Sequence, residues 1–568
     1  MNKFFVLTLS LIISGTSLAA DIHQANNYWN KLLHFDGEHS RVNSVEFFVD
    51  ANGANDAMAE QLETIRLLNG SDGAQIACNF PARYQWLKSQ GKAIPSFDLM
   101  SCTELQNFLN SFQNQTLSIV FISEFTDVPA SAFGHVMLAF RNLDTPLPLA
   151  DTIHFSAITK PDNFFRYAYS GLTGKYDGFY MREPFFVKQN EYNINEQRAL
   201  YIYELDMTKE EISRITLHLF ELRKARFQYF FIKENCAFYV ADLLDMAFLS
   251  EDHSLNSQHA VLPIDVVRQY QNQIKQRVIL SPSLFQAEES LERLTKKELV
   301  TVEDVIAQHE KPNNLFANSV KEVLALHYQY TFRRQKKVYD NYSDVQALEY
   351  IPTPKSKLLK DPLLVNDASQ ISLGSFQNKG QLGLLFGYAA ISRNIYSLQQ
   401  NELQESETSI LFLQAQLASQ SAILKRLDLL KVASSPKSNT LRQNLSWAFY
   451  SGVNRENLQA QARPEVEFGM GKSWGEENFT FTALASAGIQ ANAGAVNLYM
   501  KPNIAVSGYS SSNTKIGILI SDKLFQSQGY LQSEFFLTYQ LNQFNLSGRY
   551  LQMPNSAVQT SLVVDFHL

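Results

Sequence analysis

The sequence predicts an α+β chain with a C-terminal antiparallel β-barrel of about twelve strands. Three patterns carry this reading: helical spacing in the first hundred residues, strands mixed with amphipathic helices in the middle, and a period of two over the last 200. A chain of 568 residues exceeds one ordinary core, so at least two units are expected. With 45% apolar and 18% charged residues and a formal charge of −7, the chain is not disordered and shows no basic stripe for nucleic acid. Its 40 Phe and 25 Tyr beside so few charges point to aromatic surface outside a water-facing shell, as at a membrane interface.

Residues 1–20 read as a signal peptide: Lys3, an apolar run of about ten residues from Phe4 to Ile13, then Ser17-Leu18-Ala19. No Cys lies near this junction, which excludes lipoprotein processing. No later run approaches the ~20 apolar residues of a spanning helix, so the exported chain is soluble or enters a membrane as strands. Residues 21–112 read as a helical module, with Met58 to Leu68 at helical spacing. Cys78 and Cys102, 24 residues apart, form a disulfide in the economical reading, stabilising by roughly 3 kcal/mol.

Residues 113–255 form the mixed domain. Leu117 to Ile122, His135 to Phe140 and Ala199 to Leu205 are of strand length, and Thr208-Lys209-Glu210-Glu211 opens a helix as a capping box. Residues 256–365 read as a helical connector, with candidates at Leu284–Leu294, Val302–His309 and Ser319–Tyr350. From 366 to 568 the period is two: Val466, Phe468 and Met470 alternate with Glu465, Glu467 and Gly469. Parity does not tell which face is outside. The export signal, an even strand count and the last strand, with Leu562, Val564, Phe566 and Leu568 on one face, select a membrane barrel over a soluble one. That ending resembles the terminal strand through which the barrel assembly machinery recognises outer-membrane barrels, although those commonly end in Phe.

The pairing of Cys78 with Cys102 leaves Cys236 as an odd thiol, either buried and inert or kept for chemistry. A helical pattern begins at Cys236, where open N–H groups and the helix dipole favour a thiolate. His135 heads an apolar strand directly after Gly134 and is the candidate base. His154 is the nearest candidate to orient it, with Asp151 competing. Either residue alone is commonly structural; the pair is what points to nucleophilic catalysis. Gly171, Gly174 and Gly178 lack the phosphate-loop spacing and read as a mobile loop near the site. No metal-ligand spacing occurs, so neither metal nor cofactor is expected.

Phe133-Gly134-His135, Gly171 to Phe179, Glu191-Tyr192-Asn193, Glu196-Gln197-Arg198, Tyr203-Glu204-Leu205, His218 to Leu222 and Tyr229-Phe230-Phe231 through Asn235-Cys236 follow in order the pattern of the Lnb N-terminal periplasmic domain. Cys78 to Tyr84 resembles that family's flanking helical module. The resemblance implies a permuted papain-like domain, similar to the lecithin:retinol acyltransferase group, whose thiolate takes an acyl chain from a phospholipid as a thioester. It implies Cys236 as nucleophile, His135 as general base and Asn235 or nearby N–H groups as oxyanion donors, with Ser131 and Gly134 as supporting positions. Ordinary members carry membrane helices and serve lipoprotein N-acylation; a barrel would instead hold the thiol at the inner leaflet of the outer membrane. The implied activity is acyl transfer or hydrolysis on phospholipid or lipoprotein acyl groups, in the periplasm. Two readings compete: a peptidoglycan amidase or peptidase using the same Cys-His pair, and a non-enzymatic barrel with a periplasmic plug or docking domain.

Overall fold

The first long helix begins at a side-chain cap. Asp56 accepts the N–H groups of Met58 and Ala59 to begin α1 (Ala57–Leu68), filling two of the donors a helix start leaves open. Next come α2 (Gly73–Asn79), α3 (Pro81–Ser89), with Pro81 at its first turn, and α4 (Thr103–Ser111). Cys78 and Cys102 are joined as a disulfide across this module. In this computed structural model the described residues are 27–124, 134–159, 164–249, 255, 261–308, 315–335, 361–364, 369–398, 405–418, 421–455, 461–476, 478–492, 495–524, 531–553 and 557–567. The signal segment 1–20 and Ser131 lie outside them.

Two compact units are present. The first holds Met1–Ser123, Gly134–Asn193 and Ala199–Leu280; the second holds Glu124–Phe133, Ile194–Arg198 and Ser281–Leu568. In the first, the helical module accompanies a sheet of seven strands. These are β1 (Thr116–Ile122), β2 (His135–Arg141), β3 (Asp151–Ala157), β4 (Tyr176–Pro184), β5 (Leu200–Leu205), β6 (Phe227–Tyr229) and β7 (Ile274–Leu280). Their order is β6-β4-β3-β2-β1-β5-β7, antiparallel throughout. The central pair β1 and β2 is buried almost end to end, which is why both read as continuous apolar runs. Helices α5 (Phe164–Leu172), α6 (Lys209–Leu222), α7 (Cys236–Asp245) and α8 (Pro263–Gln269) also belong to the unit, together with a single helical turn over Phe185–Lys188. The capping box of Thr208 and Glu211 opens α6 as its sequence predicts. The sheet extends past the expected boundary at 255: β7 pairs with β5 along an exposed edge, and its Lys275, Gln276 and Arg277 hide it from an apolar pattern.

Buried charge ties the module to α6 and α7. Arg83, fully buried, sets Nη1 2.8 Å from Glu60 and Nε 3.4 Å from Glu221, while Nη2 donates to the Phe47 carbonyl. Glu221 accepts the N–H groups of Ala82 and Arg83 at the start of α3. Beside it, His34 Nδ1 lies 2.5 Å from Asp242 on α7 and His34 Nε2 lies 2.9 Å from His218 Nε2 on α6. Two facing imidazole nitrogens share one proton; burial holds His218 below its ordinary value, which makes it the acceptor.

The second unit begins with α9 (Ser283–Glu292), α10 (Lys296–Gln308) and α11 (Asn318–Gln335). Of the long helix expected over Ser319–Tyr350, residues 336–350 lie outside the described ones. Twelve strands follow as one closed antiparallel barrel. They are β8 (Gln370–Asn378), β9 (Gln381–Arg393), β10 (Glu405–Ala418), β11 (Ser421–Ser435), β12 (Ser446–Asn454), β13 (Arg463–Glu476), β14 (Phe479–Asn492), β15 (Ala495–Ser511), β16 (Thr514–Ser521), β17 (Gln532–Leu541), β18 (Phe544–Met553) and β19 (Ala557–His567). The first strand closes on the last from Gln370↔His567 to Asn378↔Gln559, and Ser372 Oγ bonds Asp565 across that seam at 2.5 Å. The three helices pack on the β11–β12 connection: Leu441 joins their core, and Asn439 and Thr440 bond Glu288 and Glu303.

The orientation that parity leaves open is visible in the burial. Val466, Phe468 and Met470 are 40%, 49% and 47% exposed, whereas Glu465, next to Val466 on the same strand β13, is 5% exposed and faces the lumen. Leu562 points out, while Val563 and Asp565 point in. An apolar exterior around a polar, ion-paired interior belongs to a barrel of the outer-membrane type, because only lipid tolerates that belt. No helix among the described residues is long and apolar enough to cross a membrane.

Removing Arg83 leaves two buried carboxylates without their counter-charge. Arg83→Met is expected to destabilise the first unit by about 3–5 kcal/mol and to spare the barrel. Urea unfolding followed by near-ultraviolet circular dichroism, with heat-modifiable gel mobility reporting the barrel, checks both halves of this expectation.

Candidate active site

The Asn235-Cys236 pair is a helix start. Asn235 has extended backbone, and its Oδ1 accepts the N–H groups of Ala237 and Phe238 at 3.0 and 3.2 Å. Its Nδ2 donates to the Val261 carbonyl at 2.7 Å. Both ends of the amide are therefore occupied with holding α7, so Asn235 is placed as a cap. Cys236, partly exposed, takes the first helical position, where the dipole stabilises a thiolate.

His135 reaches the sulfur from the sheet. The start of β2 pairs with the end of β1 at Ile122↔His135, and α7 packs over β2 and β3. His135 Nδ1 stands 3.4 Å from Cys236 Sγ, within hydrogen-bond range for sulfur. Gly134 permits this approach: its φ is +87°, and a Cβ would lie 2.6 Å from the Ile122 carbonyl and 3.0 Å from the Phe121 ring.

His154 lies on β3 with its ring edge-on to His135 at 6.3 Å between centroids. It is 2% exposed, its Nε2 is 3.5 Å from Glu183, and its Nδ1 is buried without a hydrogen-bond partner among the described residues. Burial, joined by the nearby Lys188 ammonium, brings His154 down to about 4 against the opposing pull of Glu183. Asp151, the competing orienter, sits at the far end of β3 and pairs with Arg182 at 2.9 Å.

Three groups near the thiol escaped the sequence reading. Tyr229, at the end of β6, lies beside Cys236, and burial raises its phenol well above the ordinary value, so it remains a proton donor. Lys188, itself buried, lies 2.7 Å from Glu183 and 2.9 Å from Glu191, forming an ion-paired backing for His154. Glu183 and Lys188 are separated by the turn that follows β4, so no local period marks them. Tyr229 had a weak signal in the aromatic run seven residues before the thiol.

The expected loop of Gly171, Gly174 and Gly178 is packed. A Cβ at these positions would come 2.3 Å from the rings of Phe231, Phe230 and Phe155, respectively. Tyr167 and Tyr176 also pack on Phe231, at centroid distances of 5.0 and 6.1 Å. At the same end of the sheet, Ile158, Tyr169 and Leu172 are 61%, 57% and 56% exposed. Tyr229, beside the thiol, meets Phe231 edge-on at 6.1 Å between centroids and so joins Cys236 to this aromatic cluster.

Residues 104–273 match the Lnb N-terminal periplasmic domain. Two domains of unknown function flank that Lnb match, DUF7843 at residues 22–90 and DUF7840 at residues 361–549. The comparison with curated proteins finds no relative. Among solved structures, the KdgM porin is 9% identical, with 35% of this chain and 99% of that chain covered and a TM-score of 0.23. OmpTdeltaL8, a loop-deletion mutant of an outer membrane protein of Vibrio cholerae, is 6% identical, with 35% and 97% covered and a TM-score of 0.20. The chain is an outer-membrane barrel protein with a region similar to the Lnb N-terminal periplasmic domain.

Two expectations follow for the Lnb-type domain. Asn235→Ala removes both cap bonds; it should cost about 1–2 kcal/mol and slow iodoacetamide labelling of Cys236 at neutral pH. His154 is neutral when folded but protonates near its ordinary value once unfolded. Stability is therefore complete above about pH 6.5 and falls by up to about 3 kcal/mol as the pH drops towards 4. Unfolding of His154→Gln at pH 7.5 and 5 should show a shallower acid loss than the wild type.

Proposed function

We propose that the periplasmic domain is a thiol acyltransferase or hydrolase that takes acyl groups from lipid as a Cys236 thioester. The 3.4 Å contact between His135 Nδ1 and Cys236 Sγ at a helix N-terminus carries the reading. The aromatic cluster reached from the thiol through Tyr229 supports an acyl chain over a peptide as the substrate. In the proposed reaction His135 takes the thiol proton and Sγ attacks the ester carbonyl of a phospholipid. The tetrahedral oxyanion accepts from Tyr229 Oη and backbone N–H groups near the start of α7. Collapse breaks the acyl C–O bond, and the imidazolium gives its proton to the departing lysophospholipid alkoxide. An amine or water, deprotonated by His135, then attacks the thioester and restores the thiolate. His154, kept neutral and backed by Glu183 and Lys188, steadies the His135 ring. The acceptor implied by the family resemblance, the amino terminus of a lipoprotein, fits the amine branch.

Intact-mass analysis after incubation with phospholipid tests this. An acyl adduct on the wild type, labile to hydroxylamine and absent from Cys236→Ala, is expected. His135→Gln should form it about 10²–10⁴ times more slowly and Tyr229→Phe about 10²-fold more slowly. Cleavage of defined peptidoglycan fragments by the wild type, with no adduct on any variant, sinks the lipid reading in favour of an amidase.

A further inference from the structure

The barrel lumen is crossed by its own chain. After β9 ends at Arg393, residues 394–398 turn inward. The turn holds itself: the Asn394 side chain accepts the Tyr396 N–H at 3.0 Å, and the Ser397 N–H bonds the Asn394 carbonyl at 2.9 Å. Ile395 N–H reaches Glu407 on β10 at 3.3 Å. The remaining contacts are on distant strands. Lys515 on β16 donates to the Ser397 carbonyl at 3.3 Å. Tyr396 Oη donates to Glu534 on β17 at 2.9 Å, its ring meets Phe536 edge-on at 5.1 Å, and the Arg549 guanidinium on β18 lies 3.8 Å over it.

Strand order makes these contacts informative. In a closed ring of twelve, β10 is the third strand and β16 the ninth, so they stand diametrically opposite. A segment bonded to both spans the lumen. Tyr396 is held there by a carboxylate, a guanidinium and an aromatic edge together, a set of partners that fixes both its ring and its hydroxyl. Around it the interior charges pair with one another, Lys431 with Glu407 at 2.5 Å, Lys501 with Glu467 at 3.1 Å and Lys523 with Glu465 at 2.7 Å. What remains is a cavity of about 430 Å³.

We infer that residues 394–398 are a built-in stopper and that the barrel is a closed anchor, a conduit only when Tyr396 is withdrawn. This does not rest on the chemistry of the thiol. Nine Lys and Arg against six Asp and Glu line the cavity, so the lumen opened by that withdrawal favours anions.

The full-length chain inserted into planar phosphatidylcholine bilayers in concentrated KCl tests this. The wild type is expected to give no unitary current steps. Tyr396→Ala, and separately the triple change Ile395→Gly, Tyr396→Gly, Ser397→Gly, should give steps at least about tenfold more often per inserted barrel, with chloride preferred over potassium. Heat-modifiable mobility confirms insertion of each folded barrel, and swelling of proteoliposomes in a small sugar gives a second readout that needs no salt. Wild-type steps as frequent as those of the variants overturn the inference. So does silence from folded variants; should the triple change fail to assemble, the single Tyr396 change, which leaves the backbone intact, decides.

Discussion

The first unit depends on a charge problem solved in its interior. Helix α7 carries Cys236, and its back is gripped by side chains from a module more than 150 residues earlier. His34 meets Asp242, Lys31 meets Asp245 at 2.7 Å, and Arg41 lies over Phe238 while reaching Glu234 at 3.5 Å. Behind them Arg83 stands between Glu60 and Glu221. Buried ions are weak evidence for stability, since apolar side chains of like volume often do as well. What they supply is position, because each carboxylate accepts only where its donors are. A thiol whose 3.4 Å distance to an imidazole is held to a few tenths of an ångström gains from a helix that cannot slide.

The same economy of partners appears at the site. Asn235 ends the preceding loop, begins the helix and ties the loop at Val261, so one amide fixes the direction in which Cys236 leaves the backbone. Gly134 lets the chain pass beneath the Ile122 carbonyl so that the next residue presents its ring to the sulfur. Between them the two sides of the contact are determined by backbone geometry, and Tyr229 joins it to the aromatic cluster of Phe231 and Tyr167.

Much of this was legible in the chain. The capping box of α6, the helix beginning at Cys236, the run of strands to the terminus and the disulfide pair all follow from residues lying within a turn, a strand or a short loop of one another. Strand β7 was not, because an edge strand that shows Lys275 and Arg277 to solvent carries no apolar alternation. Lys188 and Glu183 were not, because ion pairs across a turn have no period. Asn235 read as an oxyanion donor from its place in a motif, and the fold occupies its amide elsewhere.

By itself, then, the sequence determined the order of helical module, mixed domain, helices and barrel, and named the thiol and imidazole as the groups worth watching. Tertiary structure alone decided that they meet, which face of the barrel is wetted, and that Tyr396 reaches across to Glu534 and Arg549. The reason is physical. Periodicity and capping are local and survive in the order of residues, whereas a contact across a hundred positions exists only once the loop between has closed and the groups have been taken out of water together.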